Sequence, residues 1–104
     1  MENIKKRLKR ELQNVYNFTK MNGGEAPKTT NVIYGKYNVI KKVIEEVEKS
    51  DFLKGNALRR RILNAESYEF MGIELAYSRR QLFRIIKSAE DLFVEKAIEL
   101  ELVK

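Results

Sequence analysis

The chain has 104 residues, with 21 Lys+Arg against 15 Asp+Glu, a formal charge of +6, and no His, Cys or Trp. This length supports one domain with one modest core. A composition that is 43% hydrophobic excludes disorder throughout, and charges interrupt every apolar run well before the ~18–20 residues that a membrane span needs. Without Cys there are no disulfides, thiolate metal sites or Cys nucleophiles, and without His the usual general base and metal ligand are missing, so the expected class is a binding protein without metal or cofactor rather than an enzyme.

The opening Met1–Arg7 leads into charged sequence with no apolar stretch behind it, so no secretory signal and a cytoplasmic location are expected. The charge is segregated. Residues 1–20 carry six basic and two acidic side chains, residues 77–88 carry Arg79, Arg80, Arg84 and Lys87 with no acid, and residues 89–104 carry five acids against two bases. Clustered cations suit a polyanion, because each neutralised phosphate releases condensed counterions.

In chain order, Ile4, Leu8, Leu12, Val15 and Tyr16 recur at helical spacing between Lys5, Lys6, Arg7, Lys9 and Arg10. This predicts a basic amphipathic helix over 1–20 that can pack on the domain, dimerise, or lie on DNA or an anionic membrane, the last being the poorest fit. Gly23-Gly24, Pro27 and Thr29-Thr30 mark a loop over 21–31. The rest, 32–104, reads as a helical domain. Thr30 or Asn31 is the expected cap of a second helix bearing Ile33, Tyr37, Ile40, Ile44 and Val47, weakened at its start by Gly35. Ser50-Asp51 ends it, and a third helix is expected within 52–64, with Gly55-Asn56 as an expected interruption.

Ser67 is the expected cap of a short helix over 68–75. After Ala76-Tyr77, Ser78 and Gln81 form the Ser-x-x-Gln pattern of a capping box, which starts a long last helix of up to ~25 residues. No segment alternates with period two, so the fold class is all-α, about five helices with a long C-terminal one. Residues 67–88 have the layout of a helix-turn-helix, with Met71, Leu75, Leu82 and Ile86 as the seam and Gly72 at the closest approach. Ala76 stands at the turn position where a left-handed Gly is more usual, so either the turn here differs or a strain of ~1 kcal/mol is accepted.

The second helix would present Arg79, Arg80, Gln81, Arg84 and Lys87. Arg pairs with guanine O6 and N7 and Gln with adenine N6 and N7, while the Ser78 helix start suits a phosphate. Lys5, Lys6 and Arg7 of the basic arm are further candidates for phosphate contacts. Arg59 and Arg60, with Arg61, either join them or pair with Glu66 and Glu69. Leu82, Ile86, Ala89, Phe93, Leu100 and Val103 fit a heptad-like seam with Lys96 at the missing place. That seam serves either the core or a homodimer contact. Carboxylate pairs such as Glu45-Glu46 diverge on a helix, and Asn22–Glu25 lacks the Lys-Ser/Thr of a phosphate loop, so no catalytic constellation emerges.

Ser67-Tyr68, Met71-Gly72, Leu75-Ala76-Tyr77-Ser78, the basic stretch and Ala89-x-x-Leu92 together resemble region four of bacterial sigma factors. Met71 takes the family's Ile place, Gly72 its Ala place and Ala76 its Gly place. The span from about residue 36 to 95 also resembles the phage and prophage late transcription regulators of ArpU or RinA type. The resemblance implies a transcription regulator with double-stranded promoter DNA as ligand and RNA polymerase as partner. Two alternatives stay open: a ring-forming phage small terminase subunit, which also recognises DNA by a helix-turn-helix, and a helical module that binds an acidic protein.

Overall fold

The computed structural model describes residues 3–100. It contains α1 (Ile4–Met21), α2 (Tyr34–Ser50), α3 (Phe52–Leu58), α4 (Tyr68–Leu75) and α5 (Arg79–Glu99), with α3 running into a π-helical turn at Arg59–Leu63. No strand occurs among the described residues, and no helix there is long and apolar enough to cross a membrane.

Helix α1 begins where the Asn3 side chain accepts a hydrogen bond from the Lys5 amide at 2.8 Å. Its stripe of Leu8, Leu12 and Val15 is buried in the same core as Tyr37, Ile40, Ile44 and Val47 of α2 and Ala89, Phe93 and Val94 of α5. Of the roles open to the basic helix, packing on the domain is the one observed, and α1 is a wall of the fold rather than a free arm. The loop after it runs to Ile33. Gly23 and Gly24 turn it at φ +64° and +83°, and a Cβ on Gly24 would lie 2.7 Å from the Asn64 carbonyl oxygen, which presses the loop onto the end of the π turn.

Helix α2 starts later than its cap residues suggest. Ile33 occupies the cap position without a side-chain hydrogen bond. The Asn31 side chain instead accepts from the Ile33 amide at 3.0 Å, forming a turn ahead of the helix. Asp51 then ends α2 and caps α3, its Oδ1 accepting from the Lys54 amide at 3.2 Å.

The expected interruption at Gly55-Asn56 does not occur: α3 passes straight through both residues. Gly55 is there for packing, because a Cβ would lie 2.5 Å from the Glu48 amide nitrogen and Cα. The irregularity comes after it, where the Asn64 amide reaches back five residues to the Arg59 carbonyl at 3.1 Å. Buried Thr19 of α1 donates its hydroxyl proton to the Ile62 carbonyl at 2.7 Å, satisfying an acceptor the π turn leaves free.

In α5, Leu82, Ile86, Ala89 and Phe93 are all buried within the chain. The heptad-like seam is therefore core over this stretch and leaves no free stripe there for a homodimer. Lys96 pairs with Glu99 at 3.3 Å, Leu100 is exposed, and Val103 lies outside the described residues.

Candidate nucleic-acid interface

Helices α4 and α5 and the three residues between them form a helix-turn-helix. The Ser67 hydroxyl accepts from the Phe70 amide at 3.1 Å and starts α4. Met71 of α4 packs fully buried against Leu82 and Ile86 of α5 and Ala57 of α3, with Leu75 and Tyr77 beside them. The connection is tight: a Cβ on Gly72 would lie 2.8 Å from the Tyr77 carbonyl oxygen. The Tyr77 amide donates to the Gly72 carbonyl at 3.1 Å. Ala76 takes up the left-handed backbone there, at φ 58°, ψ 39°, so the strain foreseen for an Ala at this turn is accepted.

The capping box is complete. The Gln81 amide donates to the Ser78 hydroxyl at 3.1 Å, and the Ser78 amide donates to Gln81 Oε1 at 2.8 Å. Gln81 is thus partly committed: its oxygen covers the helix start, and only its NH2 group remains to reach outward.

Arg80, Arg84 and Lys87 recur at helical spacing on the side of α5 opposite Leu82, Ile86 and Ala89, and all three are exposed. Arg79 is exposed beside them, its guanidinium 5.9 Å from the centre of the Tyr68 ring. Among the described residues, none of these four cations lies within ion-pair distance of a carboxylate. The first turn of α5 carries no acid, so Arg79 and Arg80 stand against the positive end of the helix dipole, an arrangement that an incoming anion relieves.

The cations elsewhere are placed differently. Arg59 forks onto Glu48 at 2.6–3.2 Å, and that hydrogen bond raises its pKa further. Arg60 pairs with Glu66 at 3.3 Å and also donates to Asn56. Both guanidiniums are engaged within the fold, Arg59 with a partner on α2 that its sequence neighbourhood does not suggest. Arg61 is stacked between Tyr16 at 4.4 Å and Tyr68 at 4.1 Å. Lys5 and Lys9 of α1 each hold Asp91 of α5 at 3.2 Å, and these contacts, Lys9 first, lower the Asp91 pKa. Lys6 remains exposed and Arg7 half-exposed.

The arrangement therefore brings Arg79, Arg80, Arg84 and Lys87 together on one surface, ties Lys5 to Asp91 one turn beyond Lys87, and engages Arg59 and Arg60 with Glu48 and Glu66 instead. It also places an aromatic side chain among them. Phe83 is 56% exposed and shares a shallow groove with Arg79, Arg80 and Arg84. The signal was present in the spacing, since 80, 83, 84 and 87 follow the i, i+3, i+4, i+7 pattern of one helix face. No family model, curated protein or solved structure matches the chain.

Proposed function

We propose that the protein binds double-stranded DNA through its helix-turn-helix, with α5 as the recognition helix, and acts as a transcription regulator of phage or prophage type. One observation carries the DNA reading: three cations at helical spacing, exposed opposite the buried stripe of α5 and without a carboxylate at ion-pair distance among the described residues. A B-DNA major groove of about 12 Å admits a helix, and the start of α5 is the end that would enter it. Ser78 sets that start. Arg79, Arg80 and Arg84 are the base-reading candidates, and Gln81 contributes its NH2 group. Lys87 is the candidate for phosphate contacts, with exposed Lys6 of α1 as a further one. The transcriptional role, and RNA polymerase as a partner, rest on the likeness of Tyr68, Met71, Gly72, Tyr77 and Ser78 to sigma region four.

The test is a titration of a labelled 20-base-pair duplex at several salt concentrations. Log affinity is expected to fall linearly with log salt, by about 0.9 per phosphate neutralised. Absence of binding at low salt contradicts the proposal.

A further inference from the structure

We infer that Phe83 is a thymine-reading side chain: its ring meets the C5-methyl group of a thymine in the major groove, between base contacts made by its Arg neighbours. This rests on the DNA-binding reading and adds a base preference to it. Leu82, Ile86 and Ala89 fill the inward stripe of α5, yet Phe83 lies off that stripe with more than half its surface in water. On the face formed by positions 80, 83, 84 and 87 it is the one apolar residue among three cations.

Its orientation is held on two sides. The Tyr68 ring lies 6.5 Å away at a tilt of 53°, and the Lys87 ammonium sits 5.9 Å from the ring centre. The major-groove edges of the bases are hydrogen-bonding groups with one apolar exception, the thymine methyl. A phenyl ring set among guanidiniums matches that composition. The cations beside it exclude a basic partner surface and favour a polyanion that also offers an apolar contact.

The experiment starts from a random-sequence duplex pool from which the wild-type protein selects its preferred sites. Each enriched thymine is then replaced by uracil, which removes the methyl group and leaves the hydrogen-bonding edge intact. At one position the change is expected to weaken wild-type binding about fourfold. Phe83→Ala is expected to lose this discrimination while keeping its dependence on Arg80. The uracil arm leaves the protein untouched, so a folding defect in the variant cannot imitate the result. Binding that depends on Arg80 and Arg84 but is indifferent to every thymine-to-uracil change overturns the role of Phe83 and leaves the DNA reading standing. Absence of duplex binding at low salt overturns both.

Discussion

The guanidinium of Arg61 lies 4.1 Å from the centre of the Tyr68 ring, with the Tyr16 ring 4.4 Å away. Tyr16 belongs to α1 and Tyr68 is the first residue of α4, so one side chain ties the helix-turn-helix to the wall of the fold. Arg61 also donates to the Glu66 carbonyl at 3.0 Å, just ahead of α4. Two partly desolvated cation–π contacts are together worth about 1–3 kcal/mol. Arg61→Ala is expected to lose that much in urea unfolding, and Arg61→Lys to recover part of it, since an ammonium keeps the charge but not the flat stacking surface.

Thr19 offers a cleaner test of the π turn. Its hydroxyl is fully buried and donates to the Ile62 carbonyl. Thr19→Val keeps the shape and leaves that carbonyl without its donor, a loss of about 1–3 kcal/mol. Thr19→Ser keeps the donor and loses only a methyl group, so it is expected to be the milder change in the same denaturation experiment.

Two small residues should respond in opposite directions. Gly55→Ala drives a methyl group into the Glu48 backbone, and overpacking of this kind costs about 1–3 kcal/mol. Ala76→Gly relieves the left-handed strain at φ 58° and is expected to be neutral to about 1 kcal/mol stabilising, because the flexibility glycine adds to the unfolded chain offsets part of the gain. Thermal unfolding of the two variants beside the wild type reads both signs.

Adjacent acids on α5 titrate in opposite directions. Burial raises the pKa of Glu90, whereas hydrogen bonds from Lys9 and Lys5 lower that of Asp91. Ionising Glu90 therefore costs stability, which is fully retained below its unfolded pKa and lost as pH rises through the folded value. Asp91 contributes stability above its unfolded pKa that disappears as pH falls through the lowered one. Glu90→Gln is expected to be more stable than wild type at neutral pH, with the difference vanishing in acid. Asp91→Asn is expected to be less stable at neutral pH by no more than about 1 kcal/mol, because the pair is exposed and screened by salt. Melting curves across pH 3–8 separate the two.

The helix-turn-helix was legible because its signals are local. The caps at Ser67 and Ser78, the reach of Gln81, the small Gly72 and the strained Ala76 each lie within a few residues of what they act on. The core stripes of α1, α2 and α5 were legible for the same reason, as helical period is a local property. What escaped depends on segments that meet only in the folded chain. Gly55 reads as a helix breaker until Glu48 is seen against it, and Arg59 finds Glu48 across a helix crossing. The partners of Asp91 stand at the other end of the chain, on α1. The π turn has no residue signature comparable to a cap. Phe83 was hidden by its type: an apolar residue near a core stripe reads as core until its exposure is known.

The most direct measurement is duplex-DNA affinity for the Arg80→Ala, Arg84→Ala double variant, with thermal unfolding recorded on the same preparation. Both side chains are exposed and without an ion pair among the described residues, so stability should stay within about 0.5 kcal/mol of wild type. Affinity is expected to fall at least about tenfold, and the sequence preference to relax at the base positions the two arginines read. Undiminished affinity in a folded double variant would contradict DNA recognition by α5.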